Sequence, residues 1–266
     1  MSRFLVCAPD YFQIDYEINP WMRRSNAVVA DNAARQWQGL MDVLERRLGA
    51  ALERMRPVPG LPDLVFTANA AVVLGRRAAL SRFRHPERQR EEAYFEDWFR
   101  EQGYDVLTLD KGCFFEGAGD LLGFPDGWFG GYRQRSDIRA FPLLSEWFQR
   151  EIIPLELIDS RFYHLDTCFC PLSGGELLYF PMAFDDYGRR AIAERISPDR
   201  LLAVSEAEAL KFACNAVCVG KNVVVPTDCP ETVALLESRG YRAHPVTLHE
   251  FMKSGGSAKC LTLALD

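Results

Sequence analysis

The run Leu64-Val-Phe-Thr-Ala-Asn-Ala-Ala-Val-Val-Leu74, a turn at Gly75, and a second apolar run over residues 78–83 decide how this chain folds. Two β-prone runs separated by a glycine turn predict a hairpin. Behind the hairpin, Pro86 opens a stretch with helical spacing that ends by Gln102, and residues 105–109 predict one more strand. The unit is therefore strand, strand, helix, strand. It cannot bury its apolar face alone, so its neighbours settle the architecture.

The same order returns. Working outward, a second copy runs from Phe114 through the turn Pro125-Asp-Gly127, a strand at 128–132, a helix near 137–150 and a strand at 154–158. A third pairs 164–172 with 176–181 across Ser173-Gly-Gly175, then places a helix near 186–195 and a strand at 201–205. A fourth pairs 212–219 with 222–226, followed by a helix at about 230–238 and a strand near 242–246. The fifth copy is split between the two ends. Residues 260–265 have no chain left for a partner, 3–8 form a strand with none before it, and a long helix follows at about 31–55. Joining the ends closes a ring and removes exposed sheet edges. The expectation is an α/β protein: a five-bladed, pseudo-symmetric ring of ββαβ units, in one domain over residues 1–266.

Each copy carries a polar residue near its first strand: Asn69, Glu116, His164, Asn215 and Cys260, at intervals of roughly 45 to 51 positions. If the first strands line the axis, these side chains meet in a central channel, the natural pocket of such a ring.

Composition narrows the function. Of 266 residues, 48% are hydrophobic and 26% charged, as in ordinary globular chains. A net charge of −6 lacks the basic face that nucleic acid or anionic lipid requires, and it is compatible with a small cationic substrate. The N-terminal Met1-Ser-Arg-Phe-Leu-Val-Cys-Ala-Pro-Asp10 lacks a signal-peptide core, and no stretch reaches the ~20 apolar residues of a membrane span, so a cytoplasmic protein is expected. In that compartment the eight cysteines are read as reduced, mostly small buried residues. The close pairs Cys168-Phe-Cys170 and Cys214-Asn-Ala-Val-Cys218 have no histidine at ligand spacing beside them, so no metal is expected, and no cofactor either. Self-association stays open.

Several residues suit covalent chemistry. Cys260 follows Lys253-Ser-Gly-Gly-Ser-Ala-Lys259, where Gly255 and Gly256 let backbone approach a ligand and Lys259 favours the thiolate, the attacking form. An isolated cysteine is usually just buried, but here a partner is in view. In Phe162-Tyr-His-Leu-Asp-Thr-Cys168, strand alternation would put His164 and Asp166 on one face, and a histidine matched to a distant cysteine reads as a nucleophile with its acid–base partner. Glu116 and Asp120 flank Gly-Ala-Gly among apolar neighbours, where buried acids need partners. Asp63 and Asn69 bracket the first strand's opening, and Arg82, Arg88 and Arg135 are candidates to clamp a carboxylate.

Taken together, Phe-Thr-Ala-Asn (66–69), Phe-Glu-Gly-Ala-Gly-Asp (115–120), Gly-Tyr-Arg-Gln-Arg-Ser (131–136), His-Leu-Asp (164–166) and Gly-Gly-Ser-Ala-Lys-Cys (255–260) resemble the guanidino-group-modifying superfamily, or penteins. Within it, Cys-Ala-Pro-Asp (7–10), Ile-Asn-Pro-Trp-Met (18–22) and Ala-Lys-Cys-Leu-Thr-Leu (258–263) look like the arginine dihydrolases, including the N-terminal domain of the bifunctional cyanobacterial enzymes. The resemblance implies a five-bladed α/β propeller and a cofactor-free hydrolase. It implies Cys260 as nucleophile, His164 as acid and base, Glu116 to orient His164, and Asp166, Asn69 and Asp120 at the guanidinium. Arg88, Arg135 and Asn19 would hold the amino-acid end, with Asp63 as a further substrate contact.

One residue departs from the deiminases of that superfamily, which carry Asp where this chain has Asn69. A carboxylate only accepts hydrogen bonds, whereas a carboxamide also donates and so can hold the neutral ureido group of citrulline. Asn69 thus points to two hydrolyses, arginine to citrulline and on to ornithine, ammonia and carbon dioxide. Deiminase, dimethylaminohydrolase, amidinotransferase and a non-catalytic propeller binding module are the competing expectations.

Overall fold

The computed structural model describes residues 2–124 and 127–265. The turn expected at Pro125 and Asp126 lies outside the described residues. In chain order the elements are β1 (Arg3–Cys7), α1 (Ala30–Asp42), β2 (Ala51–Met55), β3 (Ala71–Leu74), β4 (Arg77–Leu80), α2 (Pro86–Gln89), α3 (Glu91–Glu101), β5 (Asp105–Leu107), β6 (Leu121–Phe124), β7 (Gly127–Tyr132), α4 (Ala140–Phe148) and β8 (Ile152–Glu156). They continue with β9 (Phe169–Pro171), β10 (Leu177–Tyr179), α5 (Asp186–Arg195), β11 (Leu201–Ala203), α6 (Glu206–Ala209), β12 (Val217–Val219), β13 (Asn222–Pro226), α7 (Pro230–Ser238), β14 (Arg242–Val246), α8 (His249–Met252) and β15 (Leu263–Ala264).

These strands form five three-stranded sheets of one design, in the orders β15-β1-β2, β3-β4-β5, β6-β7-β8, β9-β10-β11 and β12-β13-β14. In each, an antiparallel pair is followed by a helical crossover to a parallel strand, as where Ala71 pairs Leu80 and Ala78 pairs Val106. The fold is α/β with five-fold pseudo-symmetry. The split unit joins as expected: Phe4 pairs Ala264 antiparallel, while Arg3 to Cys7 pair Ala51 to Met55 in parallel. The two chain ends thus close one sheet.

Helices cover the sheets because their apolar residues fall on one stripe. In α1 the buried residues are Ala33, Trp37, Leu40 and Met41, and in α3 Phe95 and Phe99 stand one turn apart. Full burial of each such phenylalanine contributes about 1.5–3 kcal/mol.

Two expectations are corrected. The helix read over 31–55 stops early: α1 passes into a π-helical turn over Val43–Arg47, Gly49 takes φ of 68°, and 51–55 is β2. Glycine accepts that left-handed geometry without steric penalty and so ends the helix, freeing the strand that completes the fifth unit. The first strand of each unit is also shorter than read. A tight turn precedes it, closed by Ala70 N donating to Thr67 O, Asp120 to Gly117, Cys168 to Leu165, Asn215 to Phe212 and Thr262 to Lys259. The turn satisfies backbone groups locally, so the polar side chain beside it can leave the sheet plane and enter the channel.

Candidate active site

Those turns bring the polar residues together. Cys260, His164, Glu116, Asp166 and Asn69 are each at most 2% exposed, a burial that polar groups tolerate only with partners.

Asn215 organises the thiol side. Its Oδ1 accepts from Ser257 N at 2.8 Å and Cys260 N at 3.2 Å, while its Nδ2 donates to Asp166 O at 3.0 Å and lies 3.1 Å from Cys260 Sγ. The thiol in turn lies 3.5 Å from Asp166 Oδ2. Burial raises the Asp166 carboxyl to about 7, against which the Lys259 charge acts in the lowering direction. Burial and the adjacent Asp166 also push the Cys260 thiol well above its ordinary value, so it is held protonated.

The imidazole side is a second cluster. His164 Nε2 lies 2.7 Å from Glu116 Oε2, and Arg135 Nη1 donates to the same oxygen at 3.0 Å. Burial opposes ionisation of Glu116, but Arg135, His164 and Arg88 outweigh it and hold the carboxyl well below the carboxylate range. Burial lowers His164 to about 4 despite Glu116, so its imidazole is neutral. Gly119 makes the approach possible, since a Cβ there would collide with Asn69 Nδ2 and press on His164.

The expectation that His164 and Asp166 share a strand face is corrected. His164 is extended and Asp166 lies in the tight turn Leu165–Thr167, so the two side chains serve different clusters. Among the described residues the thiol's side-chain hydrogen-bond partners are Asp166 and Asn215, and no hydrogen bond joins it to His164.

Asp120 is engaged by the protein through both carboxyl oxygens. Its Oδ2 accepts from Ser136 at 2.6 Å and its Oδ1 from Leu165 N at 3.0 Å, so it braces the turn that carries Asp166.

The mouth carries the remaining candidates. Arg88 donates to Asn69 Oδ1 at 2.9 Å and grips Glu91 through Nε and Nη2 at 2.9 and 2.8 Å. Asp63 accepts from Tyr16 at 2.9 Å through Oδ2, while its buried Oδ1 has no partner. Arg135 Nη2 reaches Ile18 O at 3.0 Å, and Asn19 Nδ2 reaches Ser254 O at 3.0 Å. Residues 18–22 thus roof the site, and Trp21 is fixed by a 2.8 Å bond to Arg161 O and a ring contact with Phe212 at 4.7 Å. The cavity beneath them is only about 10 Å³ and is lined by Asp63, Asn69, Arg88, Arg135, Tyr163 and Cys260 among others. That is space for about one water, so a substrate must lift the roof to enter.

Arg82 lies apart, paired with Glu92 at 2.6 Å. Sequence reasoning did not single out Glu91, Tyr16, Tyr163 or Ser136. Ser136 stands within a quoted motif, and Glu91 follows Arg88 at the i,i+3 spacing of a helical ion pair, a local sign that could have singled it out. All eight cysteines are free, and no cluster of three metal-ligating side chains exists among the described residues. No helix among them is long and apolar enough to cross a membrane.

Comparison with known proteins follows the same lines. Residues 8–265 match the family model described as N,N dimethylarginine dimethylhydrolase, eukaryotic. The bifunctional arginine dihydrolase/ornithine cyclodeaminase AgrE of Nostoc sp. is 48% identical over 98% of this chain, which covers 37% of that protein. The chain therefore spans well under half the length of this relative. The N(G),N(G)-dimethylarginine dimethylaminohydrolase of Mycobacterium tuberculosis is 36% identical over 99% of this chain and 85% of that protein. Among solved structures, the substrate-bound N-terminal domain of ArgZ, a cyanobacterial arginine dihydrolase, matches with a TM-score of 0.96 and 44% identity over 100% of this chain and 98% of that one. A dimethylarginine dimethylaminohydrolase superposes with a TM-score of 0.85 at 19% identity, a likeness of fold.

Proposed function

Because this chain belongs to the N,N-dimethylarginine dimethylhydrolase family, we propose that it hydrolyses the guanidinium group of arginine twice, releasing ornithine, two ammonia molecules and carbon dioxide by way of citrulline. We read the five sheets as blades of a five-bladed α/β propeller, with residues 1–266 acting as one catalytic unit on a small guanidino substrate.

The single observation that carries the reading is the pairing of a buried Cys260 thiol with Asp166, in a pocket that also presents the Asn69 carboxamide. A guanidinium placed there supplies a close cation, which Lys259, making no ion pair with Asp166, does not. It gives Asp166 a partner and favours the thiolate. Asp63 Oδ1, buried without a partner, is suited to accept from the substrate ammonium, and Arg88, Arg135 and Asn19 to hold the rest of the amino-acid end.

In the proposed sequence the Cys260 sulfur bonds to the guanidinium carbon, and the thiol proton passes by way of His164 to the departing nitrogen, which leaves as ammonia. Water then attacks the thiouronium carbon, giving one proton to His164, and the carbon–sulfur bond breaks to give citrulline and the thiol. Glu116 aligns the imidazole and stabilises its charged form. In the second round Asn69 donates to the ureido oxygen. The Cys260 sulfur bonds to the ureido carbon as the thiol proton passes by way of His164 to the terminal nitrogen, which leaves as the second ammonia. Water cleaves the resulting S-alkyl thiocarbamate, restoring the thiol, and the carbamic acid formed loses carbon dioxide to give ornithine.

The identities of 48% to a dihydrolase and 36% to a dimethylaminohydrolase favour arginine over its methylated form. Incubating the protein with guanidino-labelled arginine and, separately, with dimethylarginine tests this. Labelled ammonia and carbon dioxide with ornithine are expected from arginine. Citrulline as end product would make the protein a deiminase, and dimethylamine as the preferred product a dimethylaminohydrolase. Asn69→Asp is expected to retain the first step and lose the second.

A further inference from the structure

The channel has a second mouth, on the side away from the roof. Two cavities of about 170 and 280 Å³ open there, and Lys259, Leu122, Gly123 and Ala264 line both. Every other residue lining them is uncharged. Lys259 and Cys260 are thus adjacent in sequence but face opposite ends of the channel. Asn215 O accepts from Lys259 N at 3.2 Å while the Asn215 side chain holds Cys260 N and Asp166 O, so one residue fixes the backbone of all three.

The titratable groups facing Asp166 are Lys259, Cys260, Asp120, Tyr163, Cys168 and Cys170, and Lys259 is the one cation among these described residues. Reciprocally, Lys259 faces Asp166, Cys260 and Cys170, with Asp166 its leading opposite charge. The Lys259 ammonium makes no hydrogen bond or close ion pair among the described residues, so its charge is not consumed by a nearer partner. Lys259 is half-buried and lines cavities that open to solvent, so its charge acts on Asp166 through a partly screened medium rather than as a contact pair.

We propose that Lys259 is a positioning residue that works from the rear of the channel, holding Asp166 as the carboxylate a cationic substrate requires and so favouring arginine over neutral citrulline. This rests on the proposed function, and it adds a division of labour. Asn69 admits the ureido group, whereas Lys259 keeps the site receptive to the guanidinium. A merely structural lysine would affect both ligands alike.

The test uses the Cys260→Ser protein, which binds without turnover and removes the thiol's own titration. Lys259→Met, Lys259→Gln and Lys259→Arg are made on that background, and binding of arginine and of citrulline is measured by calorimetry from pH 6 to 9. Loss of the charge is expected to weaken arginine about tenfold at pH 7, in keeping with the effect of one nearby opposite charge. Citrulline affinity should stay within about twofold, the arginine loss should shrink by pH 9, and Lys259→Arg should restore binding. Equal losses for the two ligands, no loss, or a loss independent of pH would overturn the proposal. Ethylguanidine and ethylurea serve as a second charged and neutral pair. If the parent binds neither amino acid, the functional reading fails, while the ethyl pair still decides the role of Lys259. Two neutral replacements guard against one failing to fold.

Discussion

The two polar clusters of the channel are built to different standards. On the imidazole side every charge has an answer: Glu116 accepts from Arg135 and faces His164, and the backbone of Glu116 is held by Ser136 Oγ at 3.0 Å. On the thiol side the acids are left short of partners. Asp166 sits raised to about 7 and Cys260 stays protonated, while at the mouth Asp63 retains an unpartnered oxygen. The difference teaches how a site can be stable yet ready. The imidazole half is satisfied by the protein, whereas the thiol half keeps a buried carboxyl whose nearby cation, Lys259, makes no close ion pair with it.

The comparison breaks most sharply at the reacting groups. Cys260→Ser is expected to lower arginine turnover by about 10⁴-fold or more, and His164→Ala by about 10²–10⁴-fold, both scored by ammonia release. Equal and slight losses would show that the two clusters do not act on one substrate.

Stability sharpens it next. Glu116→Gln leaves the Arg135 guanidinium and its 3%-exposed side chain without a counter-charge. Breaking one partner of such a buried pair costs about 3–5 kcal/mol, measurable by denaturant unfolding. Asp166→Asn is expected to act in the opposite sense above neutral pH. The folded Asp166 titrates at about 7 against an ordinary value of 3.8. The folded state therefore binds more protons than the unfolded one between those values, and this group's stability is full at low pH and lost as pH rises through about 7. The replacement should gain on the parent protein at pH 8 and gain less at pH 5. Glu116, lowered rather than raised, contributes stability that is lost as pH falls below the carboxylate range.

Ligand binding gives a third and smaller signal. If, as proposed, arginine pairs with the Asp166 carboxylate, its binding to Cys260→Ser should release a proton near pH 6.5 and tighten as pH rises toward 8, whereas citrulline should do neither. Calorimetry in two buffers of different ionisation enthalpy measures the proton directly.

The contrast between the halves also marks what the sequence could disclose. The repeat was legible because each unit repeats its turn chemistry and hydrophobic spacing, and the ring closure at Phe4 and Ala264 followed from the split copy. Cys260, His164, Glu116 and Asn69 stood out because the repeat places them at one point of each unit. What stayed hidden depends on local turns and distant partners. The hydrogen bonds from Ser136 and Leu165 to Asp120 have no sign in the spacing, and strand alternation misdirects Asp166 because a turn replaces the strand there. The end of α1 was misread because helical spacing continues past Gly49 while the backbone does not.

The smallest effect concerns access, where the two clusters share one roof. Residues 18–22 are tied to both: Arg135 of the imidazole side holds Ile18 O, and Ser254 beside the thiol loop holds Asn19. Trp21 is the part of the strap that touches neither, through Arg161 O and Phe212. Gly255 keeps the space beneath it, at φ of 85°, since a Cβ there would lie 2.9 Å from Trp21 Cδ1 and 2.8 Å from the Tyr163 hydroxyl. Trp21→Ala should therefore loosen the roof without disturbing either cluster. The volume of about 10 Å³ excludes an alkylating reagent while the roof is shut, so labelling of Cys260 reports how often it opens. Removing one hydrogen bond and one ring contact is worth about 1–2 kcal/mol, which predicts roughly 5- to 30-fold faster labelling of the Cys260 peptide by iodoacetamide, read by mass spectrometry. Saturating arginine should suppress the labelling in both proteins. An unchanged rate would mean that the strap is held by its ties to the clusters, and that Arg135 serves the roof as well as Glu116.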